Sequence, residues 1–324
     1  MNGQATARGS IVGIVTAVPA NVIRNDDCPD PAAADEAAKM TGVYARRWVT
    51  SGQSARTLCT DAARRLLPAV GWGPDAIDVL VYVTQTPDGT VPADVYRIAA
   101  DLCLPHRCLC LQVNWSCAGY VNGLLTAMRM IDAGQRALLL VGDATSTICD
   151  PGDRATAPLF GDAGSATAIE GSDVAQRFVF GSDGRGADKL AAGAPPEAGW
   201  LQMDGAAVFN FTLRQVPALV ADTFGDATPD VALFHQAQTF ILQHLTKKMR
   251  LSENYPGCLV PINVTRFGNC SAASIPLLMC EPSDARAKML EGATVAMLGY
   301  GAGFAWAGAN LECRPMVHLE LIEC

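Results

Sequence analysis

The sequence predicts an α/β fold in which helices cover buried β-strands. Short apolar runs rich in β-branched residues alternate with amphipathic, alanine-rich stretches along the 324 residues. Half of the residues are hydrophobic and 17% are charged, as in an ordinary globular protein. The apolar runs are nearly continuous, which is typical of strands covered by helices on both faces.

The elements follow in order along the chain. In the first half, strands are predicted at 10–18, 76–86, 107–113, 136–144 and 161–171, and helices at 55–70, 93–104 and 120–134. In the second half, helices are predicted at 206–224, 238–251 and 274–290, a strand ends at 230–236, and 293–312 forms a strand, a glycine turn and a second strand.

Residues 170–200, rich in Gly, Ala and Pro, form the weakest connection in the chain. We therefore predict an N-terminal half at 1–170 and a C-terminal half at 171–324. A strand, a loop with a polar residue and a buried helix recur around Cys117 and around His235. This recurrence indicates two related halves.

Composition narrows the range of partners and locations. A net charge of -8 disfavours nucleic acid and anionic membranes, and it leaves a small molecule or a carrier protein as the expected partner. The apolar run at 11–18 ends at Pro19 and no apolar stretch reaches about 18 residues, so we predict a cytoplasmic protein without a membrane span. The 12 cysteines are scattered, which favours reduced thiols, and the spacing of Cys103, His106, Cys108 and Cys110 does not fit a zinc site. No metal is expected.

Cys117 lies in "VNWSCAGY", between a predicted strand and a predicted helix. The N-terminus of a helix lowers the pKa of a thiol, so this position predicts a nucleophile. Ala118 and Gly119 leave room for a substrate. The alternative is a buried structural thiol, because free cysteines are among the most buried residues.

Three further positions are candidates for the same chemistry. His235 follows the apolar run "VALF", at a strand end where α/β folds gather binding groups, although a core histidine is the alternative. Asn269 lies in the small-residue loop "FGNCSAAS", where it is either functional or a helix cap. The turn in "GYGAGFAW" opens no helix, so it predicts an oxyanion donor rather than a dinucleotide site.

Five segments in this order resemble the thiolase superfamily and, within it, the type III β-ketoacyl-ACP synthases with their relatives in secondary metabolism. The segments are "VNWSCAGY", "CDPGDRATAPLFGDAGSA", "FHQA", "FGNCSAASIP" and "GYGAGFAW", and the resemblance extends from about Ser10 to Asn310. It implies the thiolase fold, a duplicated five-layered α/β/α/β/α sandwich, in a homodimer. Cys117, His235 and Asn269 would converge at the foot of a narrow tunnel.

The resemblance also implies a reaction. Cys117 would take an acyl group from an acyl-CoA or acyl-carrier thioester. His235 and Asn269 would bind the carbonyl of a malonyl thioester during decarboxylation, and the carbanion would attack the acyl-cysteine. Backbone N–H groups of Cys117 and Ala302 would form the oxyanion hole. No cofactor is implied besides the CoA or carrier-protein thioesters themselves.

Departures from the family pattern affect the predicted substrate-binding positions. Glu36 and Met40 replace a tryptophan and an arginine that clamp the adenine of coenzyme A, whereas Arg154 matches the other adenine-stacking residue. Phe240 and Asn210 replace basic residues. Val91 is predicted to contact substrate because it stands at the position that limits tunnel depth, and Phe209 is a further predicted contact, beside Asn210. The last two predicted contacts are Lys247 and Lys248, although lysines at these positions are equally typical of a solvated helix face. The pattern favours a specialised homologue.

Two other functions remain open. Related acyltransferases move the acyl group to an alcohol or amine without decarboxylation, and they often carry aspartate in place of the asparagine, so Asn269 favours condensation. Non-catalytic partner subunits of heterodimeric synthases lose the cysteine or the histidine, and this chain retains both.

Overall fold

A computed structural model describes residues 2–25, 38–39, 41–193 and 199–324. The predicted departures at Glu36 and Met40 lie outside these residues. Within the described part of the chain, no helix has the length and apolar character needed to cross a membrane.

The elements follow the predicted alternation. The strands are β1 (Gly3–Val18), β2 (Val22–Arg24), β3 (Ala45–Arg47), β4 (Val79–Val83), β5 (Leu109–Val113), β6 (Arg136–Asp143), β7 (Ala163–Ser182), β8 (Leu190–Ala191), β9 (Gln202–Met203), β10 (Val231–Phe234), β11 (Ala293–Gly301), β12 (Ala305–Cys313) and β13 (His318–Glu323). The helices are α1 (Ala55–Ala69), α2 (Asp94–Asp101), α3 (Gly119–Arg129), α4 (Gly205–Phe224), α5 (Thr239–Lys248), α6 (Leu251–Asn254), α7 (Val264–Phe267), α8 (Ser274–Cys280) and α9 (Asp284–Glu291).

Two long strands connect two groups of strands into one sheet. The first part of β7 pairs with β6 through residues 163–170, and its last part pairs with β12 through residues 177–182. β1 runs antiparallel to β7 along almost its whole length. The first group continues from β6 through β4 to β5, and the second continues from β12 through β11 to β10.

Helices separate the two groups of strands and cover their outer faces. The central core joins α3 and α8 to β4, β6, β11 and β12. A second core packs α1 and α2 on the outer face of the first group, and a third packs α4 and α5 on the outer face of the second. The chain therefore has the predicted α/β/α/β/α arrangement of five layers.

Several predicted elements differ from the observed ones. The strand predicted at 161–171 continues to Ser182 as β7, and the helix predicted at 238–251 ends at Lys248. The helix predicted at 274–290 is two helices, because Pro282 lacks the N–H that would continue α8 and Ser283 then caps α9. β1 begins at Gly3 rather than Ser10, since its polar first residues pair with the last part of β7. The predicted boundary at residue 171 falls inside β7, between its two pairing regions.

Candidate active site

Cys117 lies at the junction between β5 and α3, as predicted, in a single 3₁₀ turn formed by Ser116–Ala118. Ser116 adopts a positive φ of 45°, which turns the chain sharply out of the strand. The predicted lowering of the thiol pKa is wrong. Cys117 is only 5% exposed, and this burial raises its pKa to about 11, although hydrogen bonds partly oppose the shift.

The turn after β11 approaches the thiol closely. A Cβ atom added to Gly301 would lie 2.7 Å from the Cys117 Sγ, so only glycine fits there. The backbone N–H groups of Ala302 and of Cys117 itself lie near enough to the sulfur to lower its pKa. Two backbone donors therefore converge on the position at which an acyl-cysteine would form.

His235 follows β10 directly, and its backbone N–H continues the ladder by donating to Leu298 O at 2.8 Å. Its ring packs edge-on against Tyr300, with the ring centroids 5.6 Å apart. Burial lowers the pKa of His235 to about 4, and the facing Ser271 carbonyl opposes this only in part. The imidazole is therefore neutral at pH 7, with one N–H to donate.

Asn269 lies between α7 and α8, and hydrogen bonds anchor its backbone to the segment 159–161. Its Oδ1 accepts the Ser271 N–H at 2.9 Å. The Nδ2 group has no acceptor among the described residues. The amide is thus oriented through its oxygen, and its nitrogen remains available as a donor.

A narrow cavity of about 60 Å³ brings these groups together. Cys117, His235 and Asn269 all line it, with Tyr300 and Gly301 beside them. Its walls also include Val208 and Thr212 from α4 and Ile241 from α5, so the space lies between these two helices. The three residues predicted as a catalytic set thus share one cavity.

A second cavity of about 220 Å³ also reaches Cys117. Ile148, Phe160 and Leu201 form an apolar wall, whereas Gln85, Asn114 and Ser116 form a polar one. The thiol therefore lies where two separate spaces meet.

The other predicted substrate contacts lie outside the centre of the site. Val91 is 87% exposed and lines neither cavity. Arg154 is exposed on the segment between Asp143 and β7. Phe209 on α4 stacks on Phe240 of α5, with ring centroids 5.9 Å apart, and Phe240 is more than half exposed.

The two predicted lysines on α5 have different surroundings. The Nζ of Lys248 donates to Leu213 O at 2.9 Å, which ties α5 to α4. Lys247 is exposed and lines a separate surface cavity of about 380 Å³. Lys247 is thus the more accessible of the two positive charges.

Sequence reasoning missed Ser271, which contacts all three residues of the predicted set. Its N–H binds Asn269 Oδ1, its carbonyl faces His235, and its Oγ lies 3.9 Å from Cys117 Sγ. A signal was present in the sequence. Asn-x-Ser followed by small residues occurs at 114–119 and again at 269–274, and each serine has a positive φ and accompanies a 3₁₀ turn before a helix.

Family comparisons agree with this architecture. The sequence model described as 3-oxoacyl-[acyl-carrier-protein (ACP)] synthase III matches residues 111–184, and the model of its C-terminal part matches residues 224–313. The first match contains Cys117, and the second contains His235 and Asn269.

Full-length relatives cover nearly the whole chain. It is 31% identical to β-ketoacyl-[acyl-carrier-protein] synthase III 2 of Streptomyces coelicolor, over 92% of each chain. It is 30% identical to β-ketoacyl-[acyl-carrier-protein] synthase III of Prochlorococcus marinus, over 94% of this chain and 95% of the relative. The crystal structure of a 3-oxoacyl-(acyl-carrier protein) synthase from Burkholderia xenovorans superposes with a TM-score of 0.91 and 37% identity, over 100% of this chain and 99% of the other.

Proposed function

Because the chain belongs to the 3-oxoacyl-[acyl-carrier-protein] synthase III family, we propose that it joins an acyl group to a malonyl thioester by decarboxylative condensation, with Cys117, His235 and Asn269 as its catalytic residues. It is an acyl-transferring condensing enzyme with the thiolase fold. The observation that carries the residue assignment is the cavity shared by the thiol, the imidazole and the amide.

In the first half-reaction, the sulfur of Cys117 attacks the carbonyl carbon of an acyl thioester. The donor's C–S bond breaks, and the thiol of the donor leaves with the proton that Cys117 gives up. The N–H groups of Cys117 and Ala302, which lie near the sulfur, would donate to the oxyanion of the tetrahedral intermediate. The product is an acyl-cysteine whose chain extends into the larger cavity.

In the second half-reaction, the thioester carbonyl of a malonyl thioester reaches the smaller cavity, beside His235 and Asn269. The neutral imidazole of His235 and the Nδ2 group of Asn269 donate to its thioester carbonyl. As the C–C bond to the carboxylate breaks, carbon dioxide leaves and the electron pair forms an enolate held by these donors. The enolate carbon then attacks the acyl-cysteine, and the sulfur of Cys117 leaves as the thiolate.

The larger cavity receives the acyl group in this proposal. Its volume of about 220 Å³ exceeds that of the smaller cavity more than threefold. The acyl group would lie between the apolar wall and the polar one, and the polar wall at Gln85 and Ser116 tolerates an oxygen-bearing group. CoA and carrier-protein thioesters are the substrates, with no further cofactor, and the relatives' names place an acyl carrier protein among the partners of those enzymes.

We also propose a homodimer through β5. This strand pairs only with β4 among the described residues, so its other edge is free to pair with a second copy. Leu109 on this strand and Tyr96 on α2 are both more than half exposed. Val91 lies on the exposed loop that follows β4 and lines neither cavity of its own chain, so a tunnel-limiting role for Val91 would require contact with the second copy.

Replacing Asn269 with aspartate tests condensation against acyl transfer to an alcohol or amine. A carboxylate at this position repels the forming enolate, so carbon dioxide release from the malonyl thioester should fall roughly a hundredfold, the usual effect of losing one oxyanion donor. Loading of Cys117 should persist. Asn263→Asp is the matched control, since Asn263 is also buried but lines neither cavity. Unchanged carbon dioxide release in Asn269→Asp would exclude the proposed role.

A further inference from the structure

A buried carboxyl group lies behind the thiol. Asp143 ends β6 and is fully buried, and its Oδ1 accepts the Gln85 N–H at 2.7 Å and the Thr84 hydroxyl at 3.3 Å. Its Oδ2 has no partner within hydrogen-bonding geometry, although the Ser271 hydroxyl and the Ala272 N–H face the carboxyl group. Among the described residues, no lysine or arginine pairs with this carboxyl group.

The hydroxyl of Ser271 lies between this carboxyl group and the nucleophile. Its Oγ is 3.9 Å from Cys117 Sγ and accepts the Nε2 group of Gln85 at 2.9 Å. Since the Gln85 amide can only donate here, Ser271 has one proton and two candidate acceptors, the Asp143 Oδ2 and the sulfur.

We propose that Ser271 is a positioning residue that donates to the thiolate of Cys117, and that Asp143 competes for the same proton and so restrains the reactivity of the nucleophile. The inference rests on the proposed function of Cys117. The proposed competition breaks and forms hydrogen bonds only, and no covalent bond to carbon changes. When Asp143 is protonated, the Ser271 O–H is free to donate to the sulfur, and when Asp143 is ionised, the carboxylate attracts that O–H and repels the thiolate.

The electrostatic surroundings support this competition. Burial raises the pKa of Asp143 to about 6, despite the donors around it. The Ser271 hydroxyl lowers the pKa of the Cys117 thiol, whereas the charge of Asp143 raises it. The other titratable groups facing Asp143 are Cys59 on α1, Tyr82 on β4 and Cys270 beside Asn269, and burial raises the pKa of all three. Asp143 is thus the group here that is charged at neutral pH.

The test measures the rate of Cys117 alkylation by iodoacetamide against pH, followed by mass spectrometry of the peptide that contains Cys117. Asp143→Asn removes the competing charge, so the pKa of Cys117 should fall. A fall of about one unit raises the rate at fixed pH about threefold, because lower basicity offsets part of the gain in thiolate. Ser271→Ala removes the donor and should slow alkylation by a similar factor below about pH 6, where Asp143 is protonated and the Ser271 O–H is free to donate to the sulfur.

Two controls match these variants. Asp162→Asn neutralises another buried carboxyl group, which binds Ser146 rather than Ser271, and Ser274→Ala removes a buried hydroxyl that has no partner among the described residues. Both should leave the pKa of Cys117 unchanged. Slower alkylation in Asp143→Asn, or no shift in either test variant, would overturn the proposal. A general loss of structure would expose the other buried cysteines as well, so it predicts faster labelling at several cysteines and not at Cys117 alone.

The wild-type profile is an independent test if Asp143→Asn does not fold. Below about pH 6 Asp143 is protonated, so the pKa of Cys117 is lower than it is above this pH. In a plot of the logarithm of the alkylation rate against pH, the points below pH 6 should therefore lie above the straight line extrapolated from higher pH. A single straight line through this region would contradict the proposal. Alkylation requires no condensation, so these results do not depend on whether malonyl thioesters are the natural extender.

Discussion

Gly301 provides a test of the oxyanion geometry at the scale of one residue. A methyl group at this position would lie 2.7 Å from the Cys117 sulfur, well inside van der Waals contact. Gly301→Ala should therefore reduce acyl loading of Cys117 at least tenfold, because the thiol or the Ala302 N–H must move. Mass spectrometry of the loaded protein measures this.

Gly184→Ala is the control for that substitution, since a Cβ at Gly184 meets no atom within 4 Å. It should load at the wild-type rate. Equal loading by both variants would mean that the close approach of β11 to the thiol does not position the nucleophile.

At the residue scale, the sequence predicted where the reactive groups lie better than it predicted their environment. Cys117 and His235 occupy the strand ends at which the pattern of apolar runs placed them. The predicted lowering of the Cys117 pKa was wrong. Burial, which depends on residues distant in sequence, raises this pKa more than the nearby hydrogen-bond donors lower it. The sequence did not predict the roles of Asp143 and Ser271 for the same reason, since both lie near Cys117 only in the folded structure.

At the element scale, α5 tests how a carrier protein would dock. Lys247 is exposed on this helix and forms no ion pair with any residue that the structure describes. Lys247→Ala should therefore raise the KM for carrier-delivered substrates severalfold and leave the KM for CoA substrates unchanged. Steady-state kinetics with both donors measure the difference.

Lys288→Ala is the corresponding control, because Lys288 on α9 pairs with Asp230 at 2.9 Å, away from both cavities. If the two variants behave alike toward carrier-delivered substrate, α5 is not the docking helix.

The repeated Asn-x-Ser turns show what periodicity can and cannot predict about elements. Apolar periodicity located the strands and helices, but the two serines with positive φ at 116 and 271 are determined by side-chain hydrogen bonds from Asn114 and Asn269 to their N–H groups. The matching turns support the proposed duplication of the two halves.

At the scale of the whole molecule, the free edge of β5 predicts the assembly. Leu109→Lys places a charge in the proposed β5 interface, so the wild type should sediment at twice the 34.0 kDa mass of one chain and the variant at that mass. Val317→Lys is the control, because Val317 is similarly exposed but lies between β12 and β13. Dimers of both variants would exclude β5 as the interface.

The five-layered order of the whole molecule came from the resemblance and not from periodicity. Alternating strands and helices indicate an α/β fold, but they do not say that β7 and β1 extend through both groups of strands. That continuity depends on the pairing of β1 and β12 with β7, which joins residues more than a hundred positions apart and is not encoded in local patterns.

The central claim is that Cys117 holds an acyl group that a malonyl thioester then removes. The most direct measurement is intact-protein mass spectrometry after mixing the chain with a panel of short acyl-CoA thioesters, followed by malonyl-CoA or malonyl-carrier protein. We predict a mass gain at Cys117, absent in Cys117→Ala, that disappears on malonyl addition with release of carbon dioxide and a β-ketoacyl product. An acyl-enzyme that persists in the presence of every malonyl donor, or equal loading of Cys117→Ala, would contradict the account.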